Sequence, residues 1–170
     1  MEFSEVIKNR YSCKKYAATP LEAAKLQEIL TAGRLAPTAK NQQKTKIYVA
    51  QTPESLAKID SLTPCRYGAP VVLVVTCKPQ ESFIYPGGKY NTAVEDAAIV
   101  ATHMLLAAYN AGIDSCWLNL FDPDLAAKTL NLPEGEEVVM FLDLGYKDPT
   151  AGPLPNHNSR KELAETVQYL

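Results

Sequence analysis

Two runs, VVLVVTC at 71–77 and VVMFLDLG at 138–145, constrain the fold most, because they are almost continuously apolar and rich in β-branched residues. A strand with one solvated face alternates apolar and polar side chains, whereas these runs do not, so both faces of each strand must be covered. KIYVAQ at 46–51 and SCWLNL at 115–120 supply two further short β-rich runs. Helix starts are equally legible. Thr19-Pro20-Leu21-Glu22, Thr52-Pro53-Glu54-Ser55 and Asp122-Pro123-Asp124-Leu125 each place a capping residue before a proline suited to the first helical turn. They predict helices over 20–34, 53–61 and 123–130. Residues 92–110 predict the longest helix, with Ala97, Ala98, Ala101, Leu105 and Ala108 in helical spacing and Gly112 at the C-terminal cap. That small-residue stripe suits either a buried core helix or a helix that packs against a second copy. A short N-terminal helix carries Phe3, Val6 and Ile7. The class is α with β, a central sheet wrapped by helices.

A chain of 170 residues fits one domain, 1–170, and its 46% apolar and 21% charged residues are those of a folded globular protein. With a formal charge of -2, a pI near 5.7 and scattered Lys and Arg, no basic face recommends nucleic acid. No apolar run approaches a bilayer span and MEFSEVIKNR lacks a signal-type apolar region, so no membrane association and a cytoplasmic location are expected. Cys13, Cys65, Cys77 and Cys116 form no CxxC pair, and with His103 and His157 the only histidines, no metal site is expected.

Two segments carry chemistry. In NRYSCKK, 9–15, Arg10, Ser12 and Lys14 alternate, so an extended backbone projects a guanidinium, a hydroxyl and an ammonium to one side, a set that suits a phosphate monoester. A solvated basic stretch is the plainer alternative. In LAPTAKNQQK, 35–44, Pro37 ends the preceding helix, and Thr38, Asn41 and Gln43 offer groups that both donate and accept, as the edge of a heterocycle requires. A polar loop capping its neighbours would look the same. Neither segment holds an obvious general acid, base or nucleophile, which points to a bound cofactor as the reactive group. No GxGxxG or GxxxxGK[ST] is present, so neither a dinucleotide fold nor a P-loop is indicated. The loop 78–91 and the proline-rich tail after Tyr146 stand outside the regular pattern.

The order R-Y-S-x-K, then A-P-T-A-K-N-Q-Q, then EDAA and LLAA, AGIDSCWLNLFD, LPEGEEVVMFLDLGY and S-R-K-E-L-A-E resembles the FMN-dependent nitroreductase family over nearly the whole chain. The resemblance implies an α+β sandwich, a mostly antiparallel sheet wrapped by helices in a domain-swapped homodimer, with the tail from about 147 embracing the partner. It implies FMN, with Arg10, Ser12 and Lys14 on the phosphate and ribityl chain, Arg160 completing the charge clamp, and Tyr11 contributing its backbone or ring. Pro37, Thr38, Ala39, Asn41 and Gln43 would line the ring and ribityl region from the opposite subunit. Leu118 and Asn119 would lie at the reactive edge. NADH or NADPH would reduce the flavin, and a planar acceptor such as a nitroaromatic or quinone would reoxidise it in a slot walled by Phe83, Tyr85 and Tyr90. The chain departs from the family's Asn-x-Gln-Pro-Trp at Lys44 and Thr45. The same fold and flavin would also serve reductive dehalogenation or desaturation, or a flavin sensor or store without turnover. Outside the family, the fallback is an α+β domain with an anion site at Arg10 to Lys14.

Overall fold

Four strands, β1 (Lys46–Ala50), β2 (Val71–Cys77), β3 (Asp114–Leu118) and β4 (Glu137–Gly145), form one sheet in the order β1-β2-β4-β3, with every neighbouring pair antiparallel. The computed structural model describes all of residues 1–170. Every residue of β2 is buried, and its alternating side chains divide two cores. Val71, Leu73, Val75 and Cys77 pack with α2 (Ala23–Arg34) and α4 (Ala93–Asn110) on one face. Val72 and Val74 pack with α3 (Pro53–Leu62) and α5 (Pro123–Thr129) on the other. The double coverage expected of 71–77 and 138–145 is therefore the architecture itself, helices on both faces of a central sheet. No helix is long and apolar enough to cross a membrane.

The caps behave unequally. Thr52 and Asp122 accept backbone N–H groups at the starts of α3 and α5 as their sequences predict. The expected start at Thr19-Pro20 is corrected, because α2 begins only at Ala23 with Glu22 as an uncapped flank. Glu22 accepts instead from the Tyr146 hydroxyl (2.6 Å), and Leu21 packs on the α2–α4 core, so tertiary contacts hold residues 19–22 extended. At the other end of α4, Gly112 takes φ +76° and Ile113 N–H donates to Ala108 O (2.8 Å), the left-handed C-terminal cap that the spacing implied. Ala97, Ala101 and Ala108 are fully buried against the core, so these members of the stripe pack within the chain, and Gly33 of α2 lies against Met104 of α4. Val94 and the half-buried Ala98, Ile99 and Leu106 lie on other parts of the α4 surface.

Residues beyond α1 (Phe3–Asn9) run along the free edge of β3. Ser12 pairs with Ser115 in parallel, and Cys13 N–H donates to Ser115 O (2.9 Å), which blunts that edge. At the end of β4, Gly145 has no room for a side chain: a Cβ there would meet Pro70 Cδ at 2.6 Å and Tyr16 Cδ1 at 3.1 Å. Because the proline ring cannot move aside, Gly145→Ala is expected to destabilise the fold by about 1–3 kcal/mol. Urea unfolding should show the midpoint falling with the slope unchanged.

Candidate functional site

The extended segment after α1 sorts its side chains as alternation demands. Tyr11 and Cys13 are buried, while Arg10 and Ser12 are half-exposed and Lys14 is exposed. Arg10 and Ser12 open into a cleft of about 220 Å³ whose other side is the chain's own tail, with Leu154, His157 and Arg160. Asp148 N–H donates to Lys15 O (3.0 Å) and the His157 ring meets Tyr11 edge-on at 6.1 Å, which lays the tail against the N-terminal segment. Arg160 donates to Ser159 O (2.7 Å) and to His157 O, fixing its guanidinium at the cleft. No carboxylate lines this cleft. Burial, and then the charge of Arg160, lower the pKa of Arg10 from its ordinary value. Two guanidiniums converge here without a counter-ion, so the cleft favours a bound anion.

Ser12 and Leu154 also border a second cleft, of about 310 Å³, that holds Lys14, Leu118 and Asn119 together with Cys65 and Tyr67. The two clefts are thus contiguous. Leu118 is buried at the end of β3. The Asn119 side chain accepts from the Trp117 indole N–H and donates to Val139 O (2.8 Å), so it braces its own turn and leaves the backbone as its means of meeting a ligand. Cys65 and Tyr67 had no sequence signal of their own; Tyr67 is brought in by a left-handed turn at φ 54°. Leu154 and His157 come from the irregular tail, whose path no local pattern predicts.

Pro37, Thr38 and Ala39 lie elsewhere in the chain, in a slot of about 240 Å³ with Phe83, Tyr85 and Asp96. Lys40, Asn41 and Gln43 all take left-handed φ, 52°, 54° and 53°, and non-glycine residues there carry strain of order 1–3 kcal/mol each, least for Asn. The loop persists because it is tied down. Ala39 N–H donates to buried Asp96 (2.9 Å), Thr92 hydroxyl donates to the same carboxylate (2.9 Å), and Gln43 N–H donates to Thr38 Oγ1 (3.1 Å). Gln43 Nε2 donates to Asn41 O (3.2 Å), and both residues are exposed. Phe83 and Tyr85 stand 6.1 Å apart and Tyr90 meets Tyr85 edge-on at 6.3 Å, in a hairpin closed by Tyr85 N–H to Tyr90 O (2.9 Å). Within one chain the structure therefore gathers Arg10, Tyr11, Ser12, Lys14, Leu118, Asn119 and Arg160 on one side. It gathers the 37–43 loop and its aromatic neighbours on another.

Below the second cleft, Asp143 of β4 is fully buried opposite Cys116, with neither oxygen hydrogen-bonded. Burial pushes its carboxyl up to about 9; Arg66 pulls it back only in part, being held by Asp60 at 2.6 Å, while Cys65 and Asp60 push further. The unfolded chain releases this proton near pH 4 and the folded chain keeps it to about 9. The folded state thus binds the extra proton between those limits, and its stability falls as pH rises through them, by up to about 1.4 kcal/mol per unit. Asp143→Asn, which cannot ionise, should flatten that decline in denaturant titrations at pH 5 and pH 8.

The model of the nitroreductase family matches residues 7–66 and 62–146. A solved nitroreductase family protein from Clostridium difficile superposes with a TM-score of 0.91 and 31% identity, covering 99% of this chain and 98% of that one. A protein of Archaeoglobus fulgidus, provisionally named an NADH dehydrogenase/NAD(P)H nitroreductase, is 28% identical over 151 residues, 85% of each chain. A nitroreductase-like structure from Exiguobacterium sibiricum, solved in complex with FMN, shares the fold at a TM-score of 0.85 and 18% identity over 100% of this chain and 98% of that one. The family model spans most of the chain and the fold superposes on a solved member at 31% identity, and the chain belongs to the nitroreductase family of oxidoreductases.

Proposed function

We propose that the protein is a cytoplasmic FMN-dependent oxidoreductase that passes electrons from NADH or NADPH to a small planar acceptor such as a nitroaromatic or quinone. The observation that carries this reading is the cleft where Arg10 and Arg160 converge on Ser12 with no acidic partner. Two guanidiniums and a hydroxyl fit a phosphate monoester, and the contiguous cleft beside Leu118 has apolar walls for a flat ring. FMN bound there would supply the hydride acceptance and donation that no side chain of this chain offers. The FMN complex of the Exiguobacterium sibiricum protein and the nicotinamide donor in the Archaeoglobus fulgidus name support the choice of cofactors.

The chain's own residues then have separable tasks. Arg10 and Arg160 neutralise the phosphate, and Ser12 donates a hydrogen bond to it. Lys14, beside the Tyr67 ring at 5.8 Å, adds positive charge toward the ring end. Leu118 keeps one wall apolar and excludes water, and the bracing of Asn119 holds the backbone of that turn still. The 37–43 loop and the slot walled by Phe83 and Tyr85, with Tyr90 outside it against Tyr85, complete the site from a second copy, since one chain holds them apart from Arg10. Exposed Val94 on α4, and Leu163, Val167, Tyr169 and Leu170 around α6 (Leu163–Thr166), supply apolar surface for that homodimer and for a tail that reaches the partner.

Three outcomes check this reading. Purified protein should show flavin bands that bleach on anaerobic addition of NADH or NADPH; a colourless protein that takes up no FMN would overturn it. Arg10→Ala should weaken FMN binding by about 1.5–3 kcal/mol, the worth of one charge-assisted hydrogen bond, as read by fluorescence titration. Ala98→Arg on α4 should give monomers by sedimentation that retain FMN poorly, and a monomer that binds FMN fully would refute the two-chain site.

A further inference from the structure

Asp143 and the hydroxyl of Tyr16 are buried polar groups that the fold leaves without a hydrogen-bond partner. A buried carboxyl that serves structure is bonded to donors, so two bare oxygens call for another account. Register places them. Asp143 pairs with Cys116 on β3 and with Val72 on β2, and side chains directly opposed on one face stand about 4.5–5.5 Å apart at Cβ. Cys116 lines the second cleft together with Cys65 and Tyr67. The carboxyl therefore lies one side chain below the cleft floor. Around it, Cys13 and Tyr16 come from the segment after α1, Asp60 from α3, Cys65, Arg66 and Tyr67 from the turn at 64–67, and Cys116 from β3. Arg66 is the cation among them, and its guanidinium is engaged by Asp60 (2.6 Å) and by Ala69 O (2.7 Å). Burial pushes Cys13 and Tyr16 up and Cys116 to about 11, and the Cys65 thiol and then burial take Tyr67 to about 12, so these groups keep their protons longer than Asp143, at about 9.

We propose that Asp143 sets how many protons accompany reduction in the second cleft: when ionised it takes one proton from solvent as the cleft gains negative charge, and when neutral it takes none. This rests on the reading of that cleft as the flavin's. FMN reduced there by two electrons and one proton carries one negative charge more than before. An ionised Asp143 one side chain below opposes that charge across a buried layer in which Arg66 is already engaged by Asp60, so the repulsion is weakly screened. Protonating Asp143 removes it, and reduction and proton uptake then favour each other by the same factor. The electrons come from the nicotinamide donor or from dithionite. One proton goes to the flavin and the other converts the Asp143 carboxylate to the acid. Below about pH 9 the carboxyl is already neutral and reduction consumes one proton; above it, reduction consumes two.

The test measures the midpoint potential of the FMN-loaded protein by dithionite titration against reference dyes, from pH 7 to pH 9.5. In the unsubstituted protein the slope should double across about pH 9, as the protons consumed per two electrons rise from one to two. Asp143→Asn should hold the slope at its lower value throughout, and Cys65→Ser, which removes the thiol beside it, should keep the doubling. Reduced-minus-oxidised infrared spectra of the unsubstituted protein give a second readout that survives any failure of a variant to fold. Reduction at pH 9.5 should add a protonated-carboxyl stretch that reduction at pH 7 does not. A constant slope, a doubling that persists in Asp143→Asn or vanishes in Cys65→Ser, or no carboxyl gain at pH 9.5 would overturn this proposal and leave the flavin reading intact. A protein that takes up no FMN would overturn both.

Discussion

Burial of β2 on both faces is the constraint from which the other positions follow. A seven-residue strand with no solvated side chain can exist only between two apolar layers, so α2 and α4 must cover one face and α3 and α5 the other. With β2 and β4 central, β1 and β3 become the edges. The β3 edge is then closed by the chain after α1. That pairing, Ser12 beside Ser115 and Cys13 N–H on Ser115 O, sets which residues face outward. Arg10 and Ser12 reach their cleft because Tyr11 and Cys13 are drawn inward.

The polar loop at 37–43 shows a second kind of determination. Its three left-handed non-glycine residues would not hold this shape as an isolated peptide. A buried carboxylate, Asp96, accepting from Ala39 N–H and the Thr92 hydroxyl, anchors the loop to the first turn of α4. Strain concentrated in one segment and held by one buried acid is what a rigid ligand-facing loop requires. Thr38 and Gln43 take part in this local closure through the Gln43 N–H on Thr38 Oγ1 and the Gln43 side chain on Asn41 O.

Asp143 illustrates a different economy. An ionisable residue in the middle of an apolar strand is tolerated because its neutral form can be buried, and Arg66, engaged bidentately by Asp60, does not fully compensate its charge. Its placement beneath Cys116 and near Cys65 keeps the floor under the second cleft uncharged below about pH 9.

Local pattern in the sequence determined a good deal: the doubly covered strands, the capped starts of α3 and α5, the extent of α4 with Gly112 beyond it, and the outward alternation of Arg10, Ser12 and Lys14. These depend on periodicity, φ preference and capping chemistry within a few residues, which are properties of the chain itself. Continuous apolar runs did not by themselves reveal strand direction, since parallel and antiparallel strands buried on both faces look alike in sequence. Tertiary structure decided the late start of α2, and it decided the antiparallel order and the meeting of Arg160 with Arg10, which the family resemblance but no local pattern implied. It also holds the 37–43 loop apart from that cleft, a placement that local pattern did not carry and only the family resemblance implied. Each of these depends on contacts between residues distant in sequence, where packing volume and burial outweigh local preference.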